Sequence, residues 1–246
     1  MPTDYSPAPN LLKDRVLLVT GAGQGLGWAA ALALAGLGAS VVLLGRSTSK
    51  LEQTYDDIIA AGGPQPAIFP MDLAAAFDAD FEALAGAIGY QMGRLDGICH
   101  CAAQFTALQP QSSDSVADWL PLFRANAAAP AAINRACAPL LEKSGGSVVL
   151  VGETHGGAPA AYWGGFAVSK AALEAYFRIQ ADEWSDAPMR INLFVPGPAH
   201  TPQRAKTHPG EAKDALPSVE TLARELAWLM GPDSAGVRGQ RIEFLA

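Results

Sequence analysis

The sequence predicts an α/β fold, in which a doubly wound parallel sheet of about seven strands carries helices on both faces of a single domain. Three observations predict it. Short apolar runs alternate with helical patterns along the whole chain, the runs are continuous as in strands buried on both faces, and a glycine-rich turn joins the first run to the first helix. A chain of 246 residues is long enough for one such domain. Ligands of these sheets bind beyond the carboxyl ends of the strands, so functional residues are expected at that edge.

The strands are predicted from short apolar runs that end at glycine, proline or charged residues. The first run leads directly into the glycine-rich turn, and the second is the continuous run Ser-Val-Val-Leu-Leu. The predicted strands lie at 16–19, 40–44, 67–69, 97–101, 147–151, 190–195 and 241–245.

Helices fill the segments between the strands, and some carry boundary signals. Ser49 with Glu52 and Ser115 with Asp118 have the spacing of a capping box, which predicts a helix start at each serine. Pro130 is expected to bend or break the helix that follows Ser115. The predicted helices cover 28–37, 49–61, 80–91, a stretch from 115 to beyond 133, 165–184 and 219–229.

Two segments fall outside this alternation. Residues 1–10 are polar and proline-rich, without the basic and apolar regions of a signal peptide, and are predicted to be a flexible N-terminal arm before a domain at 11–246. Residues 196–217 contain five prolines and no clear period. They are predicted to form a long loop, of which about 197–217 shapes a substrate pocket.

Composition narrows the classes of function. A net charge of −7 and a pI near 5.0 oppose non-specific nucleic-acid binding, and no basic stripe offsets them. No apolar run has the length of a membrane span. Three cysteines give no disulfide framework. We therefore expect a cytoplasmic protein that binds neither nucleic acid nor membrane.

The glycine-rich turn at 20–27 is the first functional candidate. Its sequence, Thr-Gly-Ala-Gly-Gln-Gly-Leu-Gly, places Gly21, Gly25 and Gly27 in the spacing G-x-x-x-G-x-G between a strand and a helix. Glycines let backbone N–H groups approach an anion closely, and the helix N-terminus adds a favourable dipole. The turn therefore predicts a nucleotide phosphate as its ligand.

Four further motifs follow in order: Asp72-Leu73, Asn126, Ser169-Lys170, and Pro196-Gly197 with Thr201. With the glycine turn, they make the chain resemble the classical short-chain dehydrogenase/reductase family over nearly its whole length. The resemblance implies a Rossmann-type sheet of seven strands, a nicotinamide cofactor, and a homodimer or homotetramer assembled through the helices around Asn126 and Lys170. It assigns cofactor binding to Gly21, Gln24, Gly25, Leu26, Gly27, Asp72, Leu73, Ala102, Ala103, Lys170, Pro196, Gly197 and Thr201.

Cofactor preference can be argued from the end of the second strand. A protein that prefers NAD places an acidic residue there, against the ribose hydroxyls. This chain has Arg46 and Ser47 instead, and a guanidinium beside a hydroxyl suits a 2′-phosphate. NADP(H) is therefore favoured over NAD(H). The alternative is that Arg46 is only a solvated surface arginine.

The resemblance also exposes two departures among four catalytic positions. Asn126 and Lys170 match the family, whereas Phe166 occupies the position of its tyrosine and Glu153 that of its serine. Phenylalanine has no ionisable proton, so Lys170 has no phenol to activate and ordinary carbonyl reduction is expected to be slow or absent.

Replacement acids remain as alternatives. A protonated Glu153 could act as the acid, or His155 or Tyr162 could approach from the same loop. Glu153 could instead be an unrelated carboxylate paired with Lys170.

The fourth strand departs from the family as well. His100-Cys101-Ala102-Ala103 stands where the family typically has Asn-Asn-Ala-Gly, and the methyl group of Ala103 lies where backbone and cofactor approach each other. Successive strand side chains face opposite ways, so Cys99 and Cys101 point away from His100 and a metal site is not expected.

Two hypotheses follow. The first is an NADP(H)-dependent oxidoreductase that acts on a small carbonyl or alcohol of unknown identity, with a non-standard proton donor. The second is a catalytically inactive member of the same fold that serves as a nucleotide-binding or assembly subunit.

Overall fold

The computed structural model describes residues 5–212 and 216–244, and these form one parallel sheet with helices on both faces. The sheet has the order β3-β2-β1-β4-β5-β6-β7. Its strands are β1 (Val16–Thr20), β2 (Ser40–Gly45), β3 (Ala67–Pro70), β4 (Gly97–His100), β5 (Ser147–Val151), β6 (Arg190–Val195) and β7 (Arg241–Glu243). The helices are α1 (Gly25–Gly36), α2 (Thr48–Ala60), α3 (Asp78–Met92), α4 (Val116–Phe123), α5 (Ala129–Ser144), α6 (Thr154–Gly157), α7 (Gly164–Glu183), α8 (Pro202–Thr207) and α9 (Val219–Met230). The predicted fold class is confirmed.

Two hydrophobic cores lie on opposite faces of the sheet. Along β1, Leu17 and Val19 pack with α1, α2 and α9, whereas Leu18 packs with α3, α5 and α7. Successive strand side chains point to opposite faces, so a continuous apolar run is what a sheet covered on both sides requires. The strand runs of the sequence thus encode both cores.

The strand order reverses beside β1. The chain passes from β1 outwards to β2 and β3, then returns to place β4 on the other side of β1. Thr20 pairs with His100, so these two strands end at the same level, and the Oγ1 of Thr20 accepts a hydrogen bond of 3.2 Å from the backbone N–H of Ala102. This reversal opens a crevice at the carboxyl ends of the strands.

Most predicted boundaries lie within two residues of the observed ones, and the bounds of β5 and β6 agree fully. The capping box of Ser115 and Asp118 is confirmed by reciprocal hydrogen bonds. The capping box predicted for Ser49 is wrong. Ser47 is the last residue with extended backbone and is the N-cap of α2, which begins at Thr48. Ser49 therefore already lies inside the first helical turn.

Other differences concern irregular segments. Pro130 lies in the first turn of α5, where its missing N–H is tolerated, and the helix irregularity is a π-helical turn just before it, Arg124–Ala128. The predicted loop at 196–217 contains α8, and its residues 213–215 lie outside the described residues. So does Leu245, the predicted end of the last strand.

The N-terminal arm is described only from Tyr5 onwards. The phenol of Tyr5 donates a hydrogen bond of 2.9 Å to Asp233, and its ring meets Trp228 edge-on. Within the described ranges, no helix combines the length and apolar character needed to cross a bilayer.

Candidate active site

A cleft of about 690 Å³ lies at the carboxyl ends of the strands. It is lined by the glycine turn, by the ends of β2 to β6 and by α8. It brings together every residue to which cofactor binding was assigned, together with Glu153 and Phe166. These residues are Gly21, Gln24, Gly25, Leu26, Gly27, Arg46, Ser47, Asp72, Leu73, Ala102, Ala103, Lys170, Pro196, Gly197 and Thr201.

The glycine turn is packed too tightly for side chains at two positions. A Cβ on Gly21 would lie 2.7 Å from the Cα of Ala102, and Gly21 has a φ of +69° that L side chains rarely adopt. A Cβ on Gly27 would lie 2.2 Å from the carbonyl oxygen of Gly21. The N-terminus of α1 has no side-chain cap and no acidic residue in its first turn. The turn therefore fits an anionic group held by backbone N–H donors.

A basic corner lies beside this turn, formed by Arg46, Ser47 and Lys50. Lys50 was missed in the sequence. It lies in the first turn of α2, four residues after Arg46, and its Nζ donates a hydrogen bond to the Oε1 of Gln24. Arg46 is exposed and makes no salt bridge with any described residue. The corner thus offers two cations at the end of β2, where an anionic group would meet no carboxylate from that strand end.

Asn126 does not line the cleft but supports one wall of it. The residue is fully buried in the π-helical turn. Its Oδ1 accepts a hydrogen bond of 2.7 Å from the backbone N–H of Gln104, and its Nδ2 donates to the carbonyl of Gln104 and to the Oγ of Ser169, both at 2.9 Å. Asn126 therefore ties the segment after β4 to α7.

Lys170 reaches the cleft from α7 with only 4 % of its surface exposed. Its Nζ donates a hydrogen bond of 2.9 Å to the carbonyl of Val151. Burial disfavours the ammonium and lowers the pKa of Lys170 to about 8, although the charge of Glu153 acts in the opposite direction. The amine thus titrates close to neutral pH.

Phe166 lies one helical turn before Lys170 and is buried in an aromatic wall that we define as Phe105, Trp163 and Phe166. The ring centroids of Phe105 and Phe166 are 5.2 Å apart in an edge-on contact, and those of Trp163 and Phe166 are 6.0 Å apart. His155 lies over Trp163 with centroids 4.0 Å apart. Among the described residues that line the cleft there is no tyrosine.

Tyr162, one candidate for a relocated acid, points elsewhere. It is 60 % exposed, adopts a φ of +72° and lies outside the lining of the cleft. Glu153 and His155 both line the cleft, so the geometry retains these two of the three alternatives.

Glu153 lies at the N-cap of α6. Its Oε1 accepts a hydrogen bond of 3.0 Å from the backbone N–H of Thr154. No ion pair joins Glu153 to Lys170 within the described part of the chain, so the predicted pairing is wrong. The local backbone N–H holds this carboxylate, because Glu153 caps its own short helix.

Helix α8 follows Pro196, Gly197 and Thr201 in the chain and lines the cleft with them. The Oγ1 of Thr201 accepts a hydrogen bond of 3.1 Å from the N–H of Arg204 and caps this helix. Arg204 binds Glu211 through two hydrogen bonds of 2.6 and 2.7 Å. Sequence reasoning missed the lining residues of this segment because no period marks them. They are Pro202, Gln203, Arg204, Lys206, Thr207 and His208.

At the end of β4, the side chains of Cys99 and Cys101 lie on one side and that of His100 on the other, as expected. The Sγ atoms of Cys99 and Cys101 lie 3.5 Å apart, whereas His100 faces the other side and its Nε2 bonds the Oδ1 of Asn134 at 2.9 Å. Across the described ranges, no group of three or more histidine, cysteine or acidic residues is arranged to hold a metal ion.

Comparison with known proteins identifies the architecture around this cleft. A sequence model of the family described as short chain dehydrogenase matches residues 15–212. The oxidoreductase YciK of Escherichia coli K12 is 35 % identical over 240 residues, which cover 97 % of this chain and 95 % of the relative. A short chain dehydrogenase of Shigella flexneri 2a, solved in complex with NADP, is 35 % identical with a TM-score of 0.92, covering 96 % of this chain and 99 % of the other. One from Escherichia coli CFT073, complexed with NADPH, is 36 % identical with the same TM-score and coverage. The chain therefore belongs to the short chain dehydrogenase family of oxidoreductases.

Proposed function

We propose that this chain binds NADP(H) in the cleft, in preference to NAD(H), as an oxidoreductase that lacks the usual hydroxyl proton relay. The observation that carries the cofactor preference is the basic corner, in which Arg46 and Lys50 both line the cleft beside the end of β2. The structures of relatives complexed with NADP and NADPH support the same cofactor. When bound, the cofactor supplies or accepts a hydride at its nicotinamide ring.

The residues of the chain divide between the two ends of the cofactor. The glycine turn and the N-terminus of α1 would hold the pyrophosphate, because no side chain caps this helix N-terminus. Arg46, Ser47 and Lys50 would hold the 2′-phosphate through charge-assisted hydrogen bonds. Lys170, Pro196, Gly197 and Thr201 would orient the nicotinamide side.

This chain differs from the family pattern at the residues that would supply a proton to the substrate. Phe166 fills the tyrosine position with an apolar ring, and Glu153 fills the serine position with a carboxylate bound to the backbone. A positioned general acid typically contributes about 10²- to 10⁴-fold in rate. We therefore expect reduction of a simple ketone to be slower than in a complete site by about that factor.

The kind of acceptor should matter for the same reason. A simple ketone that gains a hydride becomes an alkoxide, which needs a proton donor close at hand. A quinone instead yields a phenol-type anion with a pKa of about 10, which can take its proton from water. The aromatic wall beside Lys170 would also accommodate a planar ring. A quinone is thus the better test substrate for the natural chain.

One observation favours a second function, that of a nucleotide-binding or assembly subunit without turnover. Phe166 is only 2 % exposed and packs against both other members of the aromatic wall. Such packing stabilises the fold and places an apolar ring where a phenol would exchange a proton. In that case the cofactor would bind without being consumed.

Nucleotide titration tests the foundation of both functions. We expect NADPH to bind more tightly than NADH to the natural chain, and Arg46→Ala to weaken NADPH binding by about 10- to 100-fold while changing NADH binding little. Arg135→Ala is the matched control, because Arg135 pairs with Asp78 on the surface outside the cleft. Failure of both nucleotides to bind at high micromolar concentration would remove the basis of the proposal.

Turnover distinguishes the two functions. Three proteins are compared: the natural chain, Glu153→Gln, and the double variant Glu153→Ser with Phe166→Tyr. Each receives NADPH together with either an aliphatic ketone or a quinone. Ketone reduction that appears only in the double variant supports a missing relay. Activity of the natural chain that disappears in Glu153→Gln identifies Glu153 as the relocated acid. NADPH binding without turnover of either acceptor supports the subunit.

A further inference from the structure

Two thiols meet at the floor of the cofactor cleft. Cys99 belongs to β4 and Cys101 follows the strand, and their Sγ atoms lie 3.5 Å apart. The backbone N–H of Cys101 donates a hydrogen bond of 3.2 Å to the carbonyl of Cys99. This bond from residue i+2 to residue i closes a tight turn, which brings the two residues nearer than an extended strand would. The thiols are therefore preset at close range.

The pair is in contact with the cofactor-binding turn. Cys101 is partly exposed and lines the cleft, whereas Cys99 is fully buried behind it. A Cβ on Gly27 would lie 3.2 Å from the Cβ of Cys101, and one on Gly21 would lie 3.1 Å from its carbonyl carbon. The turn thus rests on the backbone and side chain of Cys101, so movement of Cys101 changes the surface that supports the turn.

The surroundings give the two sulfurs different roles. Cys101 is partly exposed and lines the cleft together with Lys170, so an oxidant in the cleft can reach its sulfur. The thiolate is the nucleophile in such a reaction. The hydrogen bond to Cys101 and burial raise the pKa of the Cys99 thiol, so Cys99 stays protonated. Cys101 is suited to react with an oxidant first, and Cys99 to react second.

We propose that Cys99 and Cys101 form a redox-active pair, which a hydroperoxide oxidises to a disulfide that weakens nucleotide binding. The Cys101 thiolate attacks the peroxide, which breaks the O–O bond and leaves a sulfenic acid and hydroxide. The Cys99 sulfur then displaces hydroxide from the sulfenic acid, forming the S–S bond, and its proton gives water. The proton that Cys101 releases on ionising converts the first hydroxide to water, so in sum two thiols are oxidised to a disulfide and one hydrogen peroxide is reduced to two waters.

The predicted loss of affinity follows from the distance the sulfurs must travel. A disulfide requires an S–S distance of about 2.05 Å, so the 3.5 Å separation must shorten and Cys101 must rotate or shift towards Cys99. Gly21 and Gly27 would lose part of their support, and the cradle for the pyrophosphate would be distorted. A disulfide across so short a turn is strained, which makes it easily reduced and suited to a reversible switch. The effect on affinity rests on the proposed NADP(H) function, whereas disulfide formation does not.

Mass spectrometry tests disulfide formation independently of nucleotide binding. The reduced natural chain is treated with hydrogen peroxide, alkylated under denaturing conditions and digested with trypsin. Both cysteines fall in the peptide 95–124, and Cys137 falls in the separate peptide 136–143. We expect peptide 95–124 to lose about 2 Da and escape alkylation, while the peptide of Cys137 is alkylated as before. Full alkylation of both peptides after peroxide treatment would overturn the proposal.

NADPH titration then tests the consequence. Oxidation should weaken NADPH binding by about tenfold or more, and dithiothreitol should restore it. Cys101→Ser lacks the thiol that attacks the peroxide, so its NADPH affinity should be insensitive to peroxide relative to its own reduced form, and Cys137→Ser should respond like the natural chain. Should Cys101→Ser fail to fold, Cys101→Ala serves the same purpose. A disulfide that forms without changing the NADPH affinity would overturn the proposed switch. A reduced chain that does not bind NADPH would instead contradict the proposed function, and the mass result would still stand.

Discussion

At the scale of single residues, His100 is a buried histidine with only one of its two ring nitrogens hydrogen-bonded among the described residues. Its imidazole is 3 % exposed, its Nε2 bonds Asn134, and its Nδ1 has no hydrogen-bond partner among the described residues. Burial is the main cause that lowers the pKa of His100 from its ordinary 6.5 to about 4, and the charge of Lys170 acts in the same direction. The folded protein therefore keeps this ring neutral at pH values where an unfolded chain would protonate it.

We predict that His100→Asn reduces the acid sensitivity of the fold. Between pH 6.5 and about 4, the unfolded natural chain binds a proton at His100 that the folded chain excludes, so the free energy of unfolding falls as the pH falls. The full shift corresponds to about 3 kcal/mol. Urea unfolding at several pH values should show the natural chain losing more stability than His100→Asn over this range. His200→Asn, at an exposed histidine, is the control, and equal acid dependence in all three proteins would contradict the prediction.

At the scale of elements, two of the three glycines of α1 have opposite surroundings. Gly27 packs on the glycine turn, where a Cβ would meet the carbonyl oxygen of Gly21 at 2.2 Å, whereas a Cβ on Gly36 would meet nothing within 4 Å. Both residues belong to one helix, so helix propensity alone would make either substitution by alanine favourable by up to about 1 kcal/mol. The two positions differ in how closely the neighbouring atoms pack against them.

We predict that Gly27→Ala weakens NADPH binding by at least about tenfold and lowers the melting temperature, because the turn must open to admit the methyl group. Gly36→Ala should leave NADPH binding unchanged and raise the melting temperature slightly or not at all. Calorimetric titration and thermal unfolding of both variants measure these effects. Equal NADPH affinity in the two variants would show that the cradle tolerates a side chain.

Elements with a strong pattern could be predicted from the sequence, and those defined by tertiary contacts could not. The strands β5 and β6 are continuous apolar runs, so their bounds were evident. Helix α8 has only six residues and buries none of them. It depends on the cap by Thr201 and on the pairing of Arg204 with Glu211, and neither leaves a period in the sequence.

The site divides in the same way. The glycine turn, Arg46 and Lys170 could be found because local spacing or resemblance marks them. The aromatic wall could not, since Phe105 reaches Phe166 only after the segment beyond β4 folds against α7. The position of Tyr162 outside the cleft could not be predicted either, because the sequence does not show that its backbone adopts a φ of +72°.

At the scale of the whole molecule, apolar side chains remain exposed on two helices that pack together. Val116 and Leu120 on α4 are 74 % and 57 % exposed, and Val168 on α7 is 38 % exposed. Exposed apolar surface of this kind is commonly covered by a partner. These are the helices to which the resemblance assigns self-association, and we propose a homodimer or homotetramer built on them.

Light scattering tests this assembly. The natural chain should have a mass of two or four times 25.6 kDa, and Leu120→Asp should reduce it towards a single chain, because a carboxylate would be buried in the contact. Ile59→Asp is the matched control, since Ile59 is 45 % exposed but lies on α2. A natural chain that is monomeric at micromolar concentration would contradict the prediction.

The π-helical turn between α4 and α5 makes the site sensitive to the length of the chain itself. Such a turn holds one more residue than an α-helical turn, and each residue of an α-helix advances the chain by about 100°. Deleting one alanine from Arg124–Ala128 would therefore convert the wide turn into an ordinary α-helical turn, with α4 and α5 still in phase. Asn126, which lies in the turn, would be displaced from Gln104 and Ser169, although no side chain of the cleft had changed. Insertions and deletions in this turn are thus expected to be tolerated less well than substitutions at its surface.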